Sequence, residues 1–281
     1  MIKGEKLQEV PALSPTPWID SAALSRALSH YAPAVAVTIL DETASTNTLA
    51  KSEAHVSAPA LYIARTQTGG RGRLGRSFHS PGGVGIYFSI LLRPQCAPGE
   101  LMHLTCAVAW AMCNAVEKAT GLRPGIKWIN DLVHQKRKLG GILTELGFDS
   151  QGKVSYAVIG IGLNCLQQQA DFPPELQEIA ASLSMFCEKP IKIAAVATQM
   201  ILSLEDMARK LLTEKETILA RYRADCVTLG QDVVILREGS RREAFALDID
   251  DQGALILRFP DGHHEAVSAG EVSVRGMYGY L

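Results

Sequence analysis

Residues 66–76, Thr-Gln-Thr-Gly-Gly-Arg-Gly-Arg-Leu-Gly-Arg, interleave four glycines with three arginines directly after the strand-like run 60–64. Glycine permits φ > 0 and lets backbone N–H groups approach a ligand closely, while Arg71, Arg73 and Arg76 supply planar donors matched to phosphate or carboxylate oxygens. The stretch reads as an anion-binding loop between two strands; the competing reading is a solvated basic turn. Three further sets could do chemistry. Ser45-Thr46-Asn47 offers hydroxyls and an amide at a strand–helix junction, either as an N-cap or as a ligand-facing group. Lys127-Trp128-Ile129-Asn130-Asp131 ends a strand, and Lys138-Leu139-Gly140-Gly141 begins the next; the lysine–aspartate set reads either as a surface ion pair or as a cation for substrate oxygens beside a carboxylate for Mg²⁺ or an incoming amine. Gly160-Ile161-Gly162-Leu163-Asn164 places glycines inside a strand-like run, a sign of close approach by a ligand or another backbone.

Gly70, Gly72 and Gly75 also spell GxGxxG. A dinucleotide-binding turn must open a helix and place an acidic residue about 20 positions onward. Here Ser77-Phe78-His79-Ser80-Pro81-Gly82-Gly83 carries turn signals instead.

The elements that position these residues follow from patterning. Residues 35–40, 60–64, 86–92, 126–128, 139–146 and 154–163 read as strands, the last two as a hairpin across Asp149-Ser150-Gln151-Gly152. Residues 101–119 give the clearest helix, stopped by Gly121, and 48–53, 191–213 and 214–224 are also helical. Asp20 is placed to cap a short helix through about residue 30, behind a proline-bearing lead-in. From 232 the chain turns to short β-prone runs at 232–237, 243–249, 254–259 and 264–268. The expected organisation is a lead-in over 1–34, an α/β (α+β) catalytic domain over 35–229 and a small β domain over 230–281.

With 281 residues and a net charge of −1, the chain can bury a substantial core, and any anion binding must be local. Six cysteines without a CxxC pair suit buried thiols of a cytoplasmic protein. The charged start lacks an apolar leader segment, so an unexported protein with no membrane association is expected.

Taken in order, Ser45-Thr46-Asn47, Gln67 with Gly-Gly-Arg-Gly-Arg, Lys-Trp-x-Asn-Asp, Arg-Lys-Leu-Gly-Gly-Ile-Leu-x-Glu and Gly-Ile-Gly-Leu-Asn resemble the motifs of biotin protein ligases, also called biotin–[acetyl-CoA carboxylase] ligases, over roughly 40–275. The resemblance implies a catalytic domain related to class II aminoacyl-tRNA synthetases, with a mixed, mainly antiparallel sheet, and an SH3-like C-terminal barrel. It implies ATP and Mg²⁺ as cofactors, biotin as substrate, biotinyl-5′-AMP as intermediate, and a lysine of the biotin carboxyl carrier protein of acetyl-CoA carboxylase as acceptor. A homodimer is a further implication. Some relatives carry an N-terminal DNA-binding domain; only about 40 residues precede the first motif here, so the chain as given resembles a form without it and without a DNA partner.

By the same resemblance, Ser45, Thr46, Asn47 and Gln67 serve biotin's ureido ring, and Arg71, Gly72, Arg73 and Lys138 complete its site. Gly70, Arg71, Arg73, Arg76, Lys127, Asn130 and Asn164 serve ATP and the adenylate. Arg71, Arg73, Lys138 and Asp131 carry the chemistry, with Asp131 also the candidate metal ligand. The loop over 66–80 is expected to order around the adenylate. Ile129 departs from the proline that many relatives carry, and 166–190 holds no recognised motif, which leaves the adenine contacts unassigned. Trp128 is either an adenine stacking surface or core. Rival readings are a lipoate-type ligase, for which the polar ring set is a poorer match, a nicotinamide-dependent oxidoreductase, and a non-catalytic biotin sensor.

Overall fold

The computed structural model describes residues 18, 19, 24, 35–55, 59–237, 240–268 and 273–276. The lead-in and the helix expected over 20–30 lie outside these residues, apart from Trp18, Ile19 and Leu24.

Alternating and fully apolar runs form seven strands: β1 (Ala36–Thr43), β2 (Ala60–Gln67), β3 (Gly85–Leu92), β4 (Gly125–Lys127), β5 (Asp131–His134), β6 (Arg137–Phe148) and β7 (Val154–Asn164). They make one sheet in the order β1-β2-β3-β7-β6-β5-β4. The β1–β2 pair is parallel and the other pairs are antiparallel, giving the mixed, mainly antiparallel sheet expected. β5 was not foreseen. Between the strands expected at 126–128 and 139–146, Leu132 and Val133 are buried between β4 and β6, and the tight turn falls at Gln135 and Lys136, both at positive φ.

Register divides the sheet into two faces, because directly paired residues point the same way. Ile63, Phe88, Ile161 and Ile142 form one cross-strand row, and all four belong to the main core. Helix α2 (Leu104–Thr120) belongs to the same core and buries Leu104, Val108, Met112 and Val116; Gly121 stops it at φ +80. Helices α3 (Ile193–Lys210) and α4 (Lys215–Asp225) complete this layer. The adjacent row, Tyr62, Ser89, Gly160 and Leu143, faces the other way, toward the short helix α1 (Thr46–Ser52). Small and polar side chains in that row leave room for a site.

On α3, burial raises the Glu205 carboxyl to about 7, against the opposing charge of Arg209, and its Oε2 has no hydrogen-bond partner. The folded state therefore holds this proton more tightly than the unfolded chain. The stability it contributes is fully present below the ordinary value of 4.5 and is lost as pH rises through about 7. Urea unfolding at several pH values is expected to show that Glu205→Gln removes this part of the decline. Parallel curves for the two proteins would refute it.

The C-terminal strands are β8 (Asp232–Arg237), β9 (Ser240–Ile249), β10 (Leu255–Arg258), β11 (His264–Val267) and β12 (Ser273–Gly276). They form an antiparallel sheet in the order β11-β10-β9-β8-β12. No closed barrel is found among the described residues. The sheet is tied to the larger body by Trp128, whose indole N–H donates to Gly253 O at 3.1 Å.

Candidate active site

The Gly-Arg stretch folds back on itself between β2 and β3. Arg71 bridges to Ser77, Gly72 N donates to Arg76 O at 2.6 Å, and Phe78 N donates to Gly70 O at 2.9 Å. A short 3₁₀ turn, Arg73–Gly75, forms the tip, with Leu74 at φ 54 and 60 % exposed. No helix follows Gly75, which removes the structural basis of a dinucleotide fingerprint.

Beneath this turn lies a cavity of about 540 Å³. Its walls include Ser45, Thr46, Asn47, Gln67, Arg71, Gly72, Arg73, Arg76, Lys127, Asn130, Asp131 and Lys138, so twelve of the fourteen residues singled out in the sequence converge on one space. The charged lining residues are five cations (Arg71, Arg73, Arg76, Lys127, Lys138) and one carboxylate, Asp131. On a chain of net charge −1 this is a strongly local anion site.

The cationic groups are held in a chain. Arg73 Nη1 donates to Asn130 Oδ1 at 2.9 Å, Asn130 Nδ2 donates to Asp131 Oδ1 at 3.1 Å and to Ile142 O at 3.0 Å, and Lys138 Nζ donates to Asp131 Oδ1 at 2.7 Å. Burial pulls the Arg73 guanidinium below its ordinary value, Asp131 opposes and Arg76 reinforces the shift. Arginine remains charged at neutral pH nonetheless, so the net effect is a poorly hydrated cation, which gains more from an arriving anion than an exposed one would.

Neutral polar groups line the same cavity. Ser45 caps α1 through a bond from Thr48 N, so the capping and ligand-facing readings of this junction are compatible. Thr46 N donates to Gln67 Oε1 at 2.9 Å, and a backbone N–H can only donate, so the Gln67 carbonyl must face it. Gln67 Nε2 then donates to Ser80 Oγ at 3.0 Å and keeps one further N–H on a cavity-lining side chain.

Glycines explain how β6, β7 and the Phe78 side chain approach so closely. A Cβ on Gly162 would lie 2.5 Å from the Phe78 ring, one on Gly141 would lie 3.2 Å from Lys138 Nζ, and one on Gly140 would lie 2.5 Å from Gly162 O. The neighbours are side chains of the site and a facing backbone, the two classes the sequence pattern suggested.

Two residues singled out in the sequence stand apart. Asn164 is buried and absent from the cavity wall; its amide donates to Ala181 O at 3.0 Å and accepts from Gln167 Nε2 at 3.2 Å. Gly70 is also outside the lining, packed under Phe78 O, where a Cβ would come within 2.4 Å. Trp128 is 4 % exposed, lines the cavity, and sits on a cis bond to Ile129. The donor set around Asp131 does not fit a protein-held Mg²⁺. Its Oδ1 is already shared by Lys138 and Asn130, and no group of three His, Cys, Asp or Glu suited to a metal occurs among the described residues.

Phe78, Leu143 and Ile179 also line the cavity and were not foreseen. Phe78 sits in a run dominated by turn signals. Ile179 comes from the segment without a motif and arrives because Lys138 N donates to Ile179 O at 2.7 Å and Ala181 N donates to Lys138 O at 2.8 Å. No local pattern could reveal that pairing.

Two family models match the chain: the Biotin/lipoate A/B protein ligase family over 39–164 and the Biotin protein ligase C terminal domain over 228–275. The bifunctional ligase/repressor BirA of Bacillus subtilis is 35% identical over 232 residues, which cover 82% of this chain and 71% of that protein. The biotin–[acetyl-CoA-carboxylase] ligase of Mycobacterium tuberculosis is 31% identical over 243 residues, covering 83% and 87% respectively. The biotin protein ligase from Aquifex aeolicus in complex with biotin and ATP superposes with a TM-score of 0.73 at 27% identity, covering 86% of this chain and 99% of that one.

Proposed function

Because the chain belongs to the biotin protein ligase family, we propose that it activates biotin with ATP as biotinyl-5′-AMP and transfers the biotinyl group to a lysine of the acetyl-CoA carboxylase carrier protein. The observation that carries this reading is a single cavity lined both by five cations and by the neutral Ser45, Thr46 and Gln67.

The chemistry requires such a pairing. Biotin's ureido ring is neutral, with two N–H donors and one carbonyl acceptor, and a buried polar site of matching groups rejects an acid that lacks them, because its own groups would be left unpaired. Ser45 and Thr46 hydroxyls accept and the remaining Gln67 N–H donates. Leu143 and Phe78 supply apolar surface for the valeryl chain. In the first step a biotin carboxylate oxygen attacks the α-phosphorus and pyrophosphate leaves. Two anions must meet, so pre-placed cations lower the barrier. Arg71 and Arg73 bind phosphate and carboxylate oxygens, with Arg76 and Lys127 as further contacts to the nucleotide. Lys138 bridges the reacting carboxylate and α-phosphate.

In the second step the carrier lysine attacks the acyl carbon and AMP leaves. When Lys138 turns from Asp131 to the adenylate, the Asp131 carboxylate is released to orient the incoming amine and take its proton. Mg²⁺ carried on the nucleotide's phosphates would supply charge neutralisation, and no residue of this chain is assigned to hold it.

The two sheets also support the division into a catalytic domain over 35–229 and a β domain over 230–281. We read the first as related to class II aminoacyl-tRNA synthetases and the second as an SH3-like unit. The outer edge of β1, unpaired among the described residues, supports pairing of two copies as a homodimer.

Pyrophosphate release with ATP tests the reading. Biotin is expected to elicit it and lipoate to give at most a few per cent of that rate. Equal rates with the two acids would favour the lipoate-type alternative, and none with either would leave a binding protein.

A further inference from the structure

Glu145 lies on β6, between Leu143, which lines the cavity, and the exposed end of the strand at Phe148. It makes no part of the cavity wall, yet its carboxylate is bound from two sides. Lys51 Nζ, from the last turn of α1, donates to Oε1 at 2.7 Å, and Asn47 Nδ2, from the first turn, donates to Oε2 at 2.9 Å. The remaining contacts of Asn47 complete its amide: Nδ2 also lies 3.3 Å from Leu143 O, and Oδ1 accepts from Ser89 Oγ at 2.6 Å. Oδ1 occupies the place a side chain on Gly160 would take, 1.7 Å from an ideal Cβ there. Asn47 therefore has no hydrogen-bonding N–H left for a ligand, although it lines the cavity.

We propose that Glu145 is a positioning residue for the ring end of the site: the Lys51–Glu145 pair clamps Asn47 onto Gly160 and Ser89, and thereby sets the Thr46–Gln67 pair against biotin's ureido ring. The inference rests on the ligase reading above and assigns a role to the glutamate of the Gly-Gly-Ile-Leu-x-Glu run that the reaction itself does not use. Three observations carry it. The Asn47 side chain joins one helix to three central strands, by hydrogen bonds to Ser89 of β3 and to Leu143 O and Glu145 of β6, and by close approach to Gly160 of β7. Ser89 Oγ is shared between Asn47 Oδ1 and Thr46 Oγ1, at 2.6 and 2.8 Å, so a shift of Asn47 is transmitted to Thr46. Thr46 in turn sets the orientation of Gln67 through its backbone N–H.

Steady-state pyrophosphate release separates this role from general structural support. Glu145→Ala is expected to raise the KM for biotin about 10- to 100-fold, with kcat at saturating biotin and the KM for ATP within about twofold of wild type. Glu145→Gln keeps the length and one acceptor and is expected to recover most of the loss. Asn47→Ala should raise the biotin KM similarly, and the Asn47→Ala/Glu145→Ala double variant should be no worse than Asn47→Ala alone, since the glutamate acts through the asparagine. Multiplying effects in the double variant, or a fall in kcat as large as the rise in biotin KM for the folded Gln variant, would overturn the proposal. Wild-type protein that releases no pyrophosphate with biotin would instead remove the ligase reading beneath it.

Discussion

Replacing Lys138 with alanine is expected to slow biotin-dependent pyrophosphate release about a hundredfold while the protein stays folded. The side chain is 27 % exposed, and its Nζ is fixed by Asp131 at 2.7 Å and lies 5.9 Å from the Phe78 ring centroid. A charge-assisted hydrogen bond to a reacting oxygen contributes about 1.5–3 kcal/mol, which is roughly a ten- to hundredfold change in rate. Alanine also leaves Asp131, the one carboxylate of the cavity wall, without its ammonium partner, so a negative charge faces the incoming phosphate and the loss moves to the upper end of that range. Thermal melting alongside the rate measurement separates chemistry from unfolding. A variant that melts normally and keeps its rate within threefold would remove Lys138 from the reacting oxygens.

Gly140→Ala is expected to cost about 3 kcal/mol of stability, because the new methyl group meets a backbone atom that cannot swing aside. Its Cβ would lie 2.5 Å from Gly162 O and 3.1 Å from Leu163 Cδ1, at the Gly140–Leu163 end of the β6–β7 ladder. Relief requires the two longest strands to part, where each strand also carries site residues. A loss of this size corresponds to a fall in Tm of roughly 5–12 °C. Gly99→Ala, with no atom near its Cβ, is the control and should melt with wild type. Equal melting of the two variants would show that the ladder yields more easily than its geometry implies.

Much of the site was legible because its chemistry is local in the chain. Residues 66–76 declare an anion loop by composition; the positive φ at Gly75 shows why glycine is needed there, and the arginines are the loop's cations on the cavity wall. The run 154–163 declares a strand and its two glycines declare close neighbours, both of which the structure has. Resemblance to a known family then assigned an order of events that residue types alone left open. Asn164 shows the limit of motif transfer: it follows Gly160 and Gly162 in sequence, yet it lies off the cavity wall, with its amide bonded to Ala181 and Gln167. β5 was missed because four residues flanked by turns give too short a pattern to distinguish from the turns themselves.

The sequence by itself determined which groups are present and which strands and helices carry them, since apolar periodicity and glycine or proline punctuation are read from neighbouring residues. Tertiary structure alone decided which polar groups meet. Asn47 and Glu145 are 98 positions apart, Trp128 and Gly253 are 125 apart, and Ile179 reaches the cavity through a bridge to Lys138. The reason is physical: hydrophobic burial selects a face and is nearly indifferent to the partner, whereas a hydrogen bond needs one donor and one acceptor within about 3 Å of each other, and only strand register and the crossing of α1 over the sheet bring them that close.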